Sequence, residues 1–166
     1  MKPLYNQLKQ NHYSSNSTKA NYLSPTALYT QLGFSEKEVQ ELTKDTSPYY
    51  NTCAVRMSLA LLKCGVPFQG RMLLKGGAFK GKKIEPGAKL LADQLVKASA
   101  FGWPEIFHKP QEASQSLKNR TGVVFFNAIE GYGGGHIDLV ETEGNHLECH
   151  SDCYPTCREI WFWELK

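Results

Sequence analysis

The sequence predicts an α+β fold in which N-terminal helices pack on an antiparallel sheet. Capped helical segments dominate the chain up to Ala100, and runs rich in Val and Phe follow from Thr121. Strands that follow one another without intervening helices favour antiparallel pairing. The chain has 166 residues, a length typical of one domain with a sizeable core, so residues 1–166 are expected to form a single domain.

The first part of the chain is predicted to be helical after an irregular start. Residues 1–23 are polar, rich in Asn, Ser and Tyr, and lack a clear period, so they are expected to form an irregular N-terminal arm. Pro25 begins a short predicted helix, and a capping box opens another at Ser35. The strongest helix signal runs from Cys53 to Cys64, where apolar residues cover more than half of the circumference and predict burial.

A basic segment and one more helix precede the predicted strands. Residues 66–86 are rich in glycine and lysine, which predicts an exposed loop whose charges, from Lys75 to Lys83, could attract substrate carboxylates. A helix is expected over residues 88–100. The predicted strands span 121–129, 135–141, 146–149 and 159–165, and the aromatic run in the last strand is expected to be covered on both faces.

The charge and hydropathy patterns exclude several classes of protein. Lys and Arg exceed Asp and Glu only modestly, 19 against 16, which argues against a nucleic-acid-binding protein. No apolar run reaches the roughly 18 residues that span a bilayer, so membrane insertion is not expected. The N-terminus lacks the apolar stretch of a signal peptide, so we expect synthesis in the cytoplasm without export by the general secretory route.

Cys53 is the candidate nucleophile. It is predicted to lie in the first turn of the strongest helix, where free backbone N–H groups and the positive end of the helix dipole stabilise a thiolate. The same N–H groups could bind the oxyanion of an acyl-transfer intermediate. The alternative is a small buried residue with no chemical role.

His136 is the candidate base. It follows the glycine-rich segment Gly131–Gly135 and begins a predicted strand, and Gly135 next to it would allow a ligand to approach the backbone closely. A surface histidine beside a hairpin turn is the alternative. A helix-N-terminal cysteine followed about eighty residues later by a strand histidine is the arrangement of papain-like cysteine hydrolases, in which the thiolate attacks a carbonyl.

Three residues are candidates for the group that orients the imidazole of His136. Asp152 ranks first, because it lies in the turn or strand after the histidine's strand and could sit beside it across an antiparallel pair. Asp138 ranks second, because residues two apart on a strand share a face. His150 ranks third.

Three motifs together resemble a known family. Residues 51–58 (NTCAVRMS), residues 135–139 (GHIDL) and the cysteine bracket Cys149–Cys153 resemble the fourth family of type VI secretion amidase effectors, which are papain-like, NlpC-type peptidoglycan hydrolases. The resemblance extends from about Asn51 to the carboxyl terminus. It implies a papain-like cysteine peptidase fold, a nucleophile at Cys53, a base at His136 and an acidic partner within the bracket.

The bracket departs from the family pattern at one position. The family places its aspartate between two cysteines that often form a disulfide, and the resemblance therefore implies a bond between Cys149 and Cys153. A gapless match puts Ser151 at the aspartate's place, with Asp152 one position later. Arg56 matches the family motif and is expected to support the site through a buried ion pair or a cap.

The resemblance also implies a biological role. The expected reaction is hydrolysis of the amide between γ-D-glutamate and meso-diaminopimelate in peptidoglycan stem peptides, without a metal or organic cofactor. The type VI apparatus would deliver the protein into the periplasm of target bacteria, and a cognate immunity protein would protect the producing cell.

Two other functions remain open at this point. A housekeeping or phage-type cell-wall peptidase would use the same chemistry. A non-catalytic zinc-binding module could instead use Cys149, Cys153 and Cys157 with His146 or His150 as ligands. Cys157 could also replace either bracket cysteine in a disulfide, because sequence does not fix connectivity.

Overall fold

The computed structural model describes residues 1–144 and 146–166, and helices precede the main sheet as predicted. Its elements are α1 (Tyr5–Asn11), α2 (Pro25–Gln31), α3 (Glu36–Leu42), α4 (Cys53–Lys63), β1 (Met72–Leu73), β2 (Lys83–Ile84), α5 (Ala88–Leu95), β3 (Glu105–Phe107), α6 (Pro110–Ser116), β4 (Gly122–Ile129), β5 (His136–Glu143), β6 (His146–Cys149) and β7 (Cys157–Glu164). Among the described helices, none is long and apolar enough to cross a membrane.

The main sheet is antiparallel, with strand order β3-β7-β4-β5-β6. At its centre Val124 of β4 lies opposite Asp138 of β5 on one side and Phe162 of β7 on the other. The order and pairing confirm the predicted α+β architecture.

Both faces of this sheet are covered. One core cluster joins Val123 and Trp163 to Met57 of α4 and Leu91 of α5. A second cluster, on alternate residues of the same strands, joins Val124 and Phe162 to α6. Because alternate strand residues point to opposite faces, the aromatic run of β7 serves both clusters, which confirms that it is core.

The central helix α4 is buried along most of its length, as its apolar circumference predicts. All residues from Cys53 to Leu61 are buried, and they contact β5, α1, α5 and β2. Gly65 follows the helix with a φ of 72°, a conformation that suits glycine at a helix C-terminus. Burial of α4 fixes its first turn, and therefore Cys53, against β5.

The expectation of an irregular arm over residues 1–23 is wrong in one respect. Residues Tyr5–Asn11 form α1, whose Tyr5 and Leu8 are buried against the core that contains α4. The Tyr5 N–H donates to the Lys166 carbonyl oxygen at 2.7 Å. Seven residues are too few to show a helical period, and tertiary packing stabilises this helix.

Other differences from the predicted elements are local. The helix expected over residues 88–100 ends at Leu95, and the chain then turns so that Phe101 N–H donates to Leu95 O. The sequence analysis missed β3 and α6. The basic loop contains the antiparallel pair β1-β2, and its Lys75 forms an ion pair with Glu38 of α3.

Candidate active site

Cys53 is the first residue of α4 and lies at the wall of a cleft. It is a free thiol and is 8% exposed. Its backbone N–H donates to Asn51 Oδ1 at 3.1 Å. An oxyanion could therefore use this N–H only by displacing the Asn51 side chain.

His136 is the first residue of β5 and faces Cys53. The antiparallel sheet packs β5 on α4, which brings the start of the strand to the start of the helix. The imidazole is buried, and its Nε2 lies 3.1 Å from Asp138 Oδ2. Asp138 leaves the other ring nitrogen, Nδ1, free for the Cys53 thiol, which lines the same cleft.

These contacts favour the imidazolium form of His136. Burial alone would lower its pKa, but the hydrogen bonds to Asp138 and to Cys53 outweigh burial and raise the pKa to about 10. Burial would likewise raise the pKa of the Asp138 carboxyl, but the hydrogen bond with His136 and the nearby imidazoles hold that pKa below its ordinary value. The arrangement therefore suits a negatively charged carboxylate beside a positively charged ring.

Asp138 is fully buried and receives several hydrogen bonds. Its Oδ1 accepts from Leu139 N–H at 2.8 Å. Its Oδ2 accepts from the N–H groups of Ser151, at 2.9 Å, and Asp152, at 3.1 Å, in addition to its contact with His136. Such donors stabilise a buried carboxylate and fix its plane.

The structure places the other two candidates for the orienting group elsewhere. The expected contact between Asp152 and His136 does not form: Asp152 is exposed at the cleft and contributes only its backbone N–H to Asp138. His150 contacts His12 rather than His136, with 2.7 Å between their Nδ1 atoms. Of the three candidates, Asp138 is the one whose carboxylate bonds to His136, because the two share a strand face.

The bracket cysteines form the expected disulfide. Cys149 and Cys153 are bonded, and their bridge closes the turn that presents the Ser151 and Asp152 N–H groups to Asp138. Cys157 is a free thiol. The disulfide uses two of the three thiols that the alternative zinc site would need. The residues that the structure describes contain no cluster suited to a metal ion.

Aromatic rings enclose the imidazole of His136. Phe126 stacks on it, with ring centroids 6.2 Å apart, and Tyr154 meets it edge-on at 4.9 Å. Tyr154 and Tyr132 are both exposed and line the cleft. Phe126 and Tyr154 restrict the orientation of the imidazole, and Tyr132 and Tyr154 form an aromatic wall of the cleft.

The cleft has a volume of about 540 Å³ and runs past the thiol and the imidazole. An adjoining cavity of about 270 Å³ shares Asn51, Tyr132 and Tyr154 with it. Apart from His136, the ionisable side chains at the wall of the cleft are Cys53, Asp45, Asp152 and three tyrosines, Tyr50, Tyr132 and Tyr154. The basic segment from Lys75 to Lys83 does not line the cleft, so the expectation that it attracts the substrate finds no support in the structure.

Gly135 has a packing role. A Cβ at this position would lie 2.5 Å from Cε2 of Phe125, so a side chain would clash with the core. The absence of a side chain lets β5 approach Phe125, and Gly135 is not among the residues that line the cleft.

Arg56 supports the site without an ion pair. It is 1% exposed and donates from Nε to Thr52 Oγ1 at 2.8 Å and from Nη1 to the carbonyl oxygens of Ser14, at 3.0 Å, and Leu23, at 2.7 Å. Within the described chain it has no carboxylate partner, and burial lowers the pKa of its guanidinium. Of the two expected forms of support, an ion pair or a cap, the ion pair does not form within the described chain; Arg56 instead ties the N-terminal segment to Thr52 at the start of α4.

Sequence reasoning missed His12, Phe126 and Tyr154. His12 is 1% exposed and adjoins Asp138, although it lies in the segment expected to be irregular. Its isolated position among polar residues gave no periodic signal. Tyr154 follows the bracket directly, and that adjacency was the one signal that could have drawn attention to it.

Residues 49–163 match the family Tae4, described as type VI secretion system amidase effector protein 4. No match was found among curated proteins.

Solved structures of Tae4 proteins share the fold of this chain. The type VI effector Tae4 from Enterobacter cloacae is 20% identical, with a TM-score of 0.66 over 100% of this chain and 98% of the other. The Tae4-Tai4 effector–immunity complexes from Enterobacter cloacae and Salmonella Typhimurium are 18% and 16% identical, with TM-scores of 0.62 and 0.57; they cover 100% and 99% of both chains.

These similarities confirm the predicted papain-like, NlpC-type fold. The family match covers most of the chain, including the three motifs around Cys53, His136 and the disulfide. Effectors of this family are amidases that act on peptidoglycan. The chain therefore belongs to the Tae4 family of type VI secretion amidase effectors.

Proposed function

We propose that this effector hydrolyses the amide between γ-D-glutamate and meso-diaminopimelate in peptidoglycan stem peptides. Cys53 is the nucleophile, His136 is the general acid and base, and Asp138 orients His136. The observation that carries the proposal is the buried chain of contacts from the Cys53 thiol through His136 to Asp138 Oδ2, which opens on a cleft at Cys53.

The geometry supports acyl transfer in two steps. The Cys53 thiolate attacks the carbonyl carbon of D-glutamate, and the imidazolium of His136 gives its proton to the departing amine of diaminopimelate. A thioester to Cys53 remains. The neutral imidazole then takes a proton from water while the water oxygen attacks the thioester. The Cys53 thiolate leaves, the imidazolium is restored, and the released γ-carboxylic acid gives its proton to solvent.

Asp138 contributes to both steps by holding the ring. Its carboxylate accepts from Nε2 and thereby directs Nδ1 towards Cys53 and the reacting atoms. It also stabilises the imidazolium that is present before the proton is transferred. Phe126 and Tyr154 restrict ring rotation from the sides.

The same cleft is the expected target of an immunity protein. Solved relatives include Tae4 bound to Tai4, and the open cleft beside Cys53 is the surface whose occlusion would stop hydrolysis. We infer that a cognate immunity protein covers this cleft in the periplasm, where the type VI apparatus delivers the effector and where peptidoglycan is accessible.

Digestion of purified Gram-negative peptidoglycan, with fragments identified by mass spectrometry, tests the proposal. Wild-type protein should release fragments cut between D-glutamate and diaminopimelate, and Cys53→Ala should release none while folding normally. Cys64→Ala is the matched control, because Cys64 is a free thiol at the opposite end of α4. Cleavage by Cys53→Ala, or wild-type cleavage at a different bond only, would contradict the proposal.

A further inference from the structure

A pair of buried histidines lies beside Asp138, with His12 facing Oδ1 whereas His136 faces Oδ2. His12 follows α1 and is 1% exposed, and its Nε2 lies 4.0 Å from Asp138 Oδ1. His150 follows β6 and is 8% exposed, and its Nδ1 lies 2.7 Å from Nδ1 of His12. The proposed reaction uses neither ring.

The short contact between the two Nδ1 atoms restricts where their protons lie. One nitrogen must donate and the other accept, because two lone pairs or two N–H groups would repel each other at this distance. Burial lowers the pKa of His12 to about 3, so its ring is neutral and carries one N–H. The charged and titratable groups that face it are Asp138, His150, Arg56 and His136.

The negative charge of Asp138 selects between the two tautomers of His12. If His12 carried its proton on Nδ1, the lone pair of Nε2 would face the carboxylate. With the proton on Nε2 the N–H faces Asp138 Oδ1, and His150 then donates to His12 Nδ1. Among the described residues, His12 Nε2 has no hydrogen-bond partner, so the nearby Asp138 oxygen is the acceptor that this N–H can approach.

The backbone around the two rings is held on both sides. Ser14 Oγ donates to the His150 carbonyl oxygen at 2.6 Å, and the Ser15 N–H donates to Ser151 Oγ at 3.0 Å. Arg56 binds the carbonyl oxygen of Ser14. The segment that carries His12 is therefore fixed to the turn whose N–H groups bind Asp138.

We propose that His12 is a positioning residue for the reaction, which orients the Asp138 carboxylate towards His136 from the side of Oδ1. His150 in turn fixes the tautomer of His12. This inference rests on the catalytic roles proposed above. It adds a fourth residue to the site, next to Cys53, His136 and Asp138. His12 is buried and does not line the cleft, so it acts through Asp138.

Two substitutions at His12 separate positioning from packing. In His12→Gln the carboxamide nitrogen can occupy the place of Nε2 and present its N–H to Asp138, whereas in His12→Asn it can reach only the place of Nδ1. At 4.0 Å the Nε2–H acts on the carboxylate electrostatically and more weakly than a hydrogen bond would. We therefore expect kcat to fall roughly threefold in His12→Asn with KM unchanged, and to stay near wild type in His12→Gln.

A second readout is independent of which bond is cleaved. The NMR titration of the His136 imidazole in the full-length protein should have its midpoint at lower pH in His12→Asn, because a misoriented Asp138 stabilises the imidazolium less. The midpoint should stay in place in His12→Gln. This shift tests the contact even if the peptidoglycan assay contradicts the proposed bond.

A variant pair at His150 covers the case in which His12 variants do not fold. In His150→Asn the carboxamide can replace the Nδ1–H donor, and in His150→Leu no donor remains. We expect wild-type kcat and titration midpoint in the first and a reduced kcat with a lowered midpoint in the second. Wild-type values of both quantities in folded His12→Asn, or in His150→Leu, would overturn the proposal, as would equal losses in His12→Asn and His12→Gln.

Discussion

Replacement of Arg56 with leucine should destabilise the protein without touching the reacting atoms. The guanidinium makes three hydrogen bonds, to Thr52 Oγ1 and to the carbonyl oxygens of Ser14 and Leu23. Leucine removes all three, and each loss of a hydrogen bond to a charged group costs about 2 kcal/mol. Because leucine also removes the cost of burying an unpaired charge, we expect a net loss of about 3 kcal/mol instead of about 6 kcal/mol.

Urea unfolding monitored by tryptophan fluorescence measures this loss. For a chain of this size the free energy of unfolding changes by about 2 kcal/mol per molar urea, so the midpoint should fall by about 1.5 M. Arg158→Leu is the matched control, because Arg158 is exposed on β7. The urea midpoint of this variant should differ from that of wild type by about 0.3 M or less.

Hydrogen exchange locates the effect within the chain. Residues 12–23 should lose protection in Arg56→Leu before α4 does, because Arg56 binds this segment through two of its carbonyl groups. An Arg56→Leu protein as stable as the Arg158→Leu control would refute the reasoning. It would mean that relief of the buried charge offsets the lost hydrogen bonds.

The remaining predictions concern the acid–base groups and the disulfide. Asp138→Asn should lower kcat about 100-fold, because it removes the charge that stabilises the imidazolium. Asp152→Asn should leave kcat within about threefold of wild type, because only the backbone N–H of Asp152 contacts Asp138. A larger loss in Asp152→Asn than in Asp138→Asn would identify Asp152 as the orienting group. Because the pKa of His136 is raised to about 10, its contribution to stability is fully present below about pH 6.5 and is lost as the pH rises through 10. Unfolding midpoints measured from pH 6 to 10 should therefore fall less steeply in Asp138→Asn than in wild type. Cys149→Ser should lower kcat, because it frees the turn that donates two N–H groups to Asp138, and an unchanged kcat would show that the turn holds its shape without the bridge.

Local signals in the sequence were sufficient for the helix that carries the nucleophile and the strand that carries the base. The apolar circumference of residues 53–64 identifies α4, and the strand predicted over residues 135–141 corresponds to β5. Packing of α4 against β5 then brings Cys53 near His136. The order of a helical cysteine and a strand histidine therefore carried most of the prediction.

The sequence could not show which carboxylate orients His136, because it gave a different reason to favour each of the two aspartates. Asp152 lies within the cysteine bracket, which favoured it, and Asp138 lies two residues from His136 on one strand face. The bracket turn approaches the site with its backbone N–H groups, so it stabilises a carboxylate instead of supplying one.

The contribution of the N-terminal segment to the site could not be predicted from local sequence patterns. Helix α1 is short, and its stability comes from packing against residues that are distant in the sequence. His12 reaches Asp138 only because this packing places the end of α1 beside the turn after β6.

The contacts of residues 12–23 with Arg56 and His150 make this segment equivalent to a peptide ligand that is tethered to its own receptor. The segment lies outside residues 49–163, which match the family. While the chain is intact, docking is intramolecular, with an effective concentration on the order of millimolar. A single proteolytic cut between residues 24 and 48 would turn docking into a bimolecular equilibrium, and the geometry around Asp138 would then depend on protein concentration.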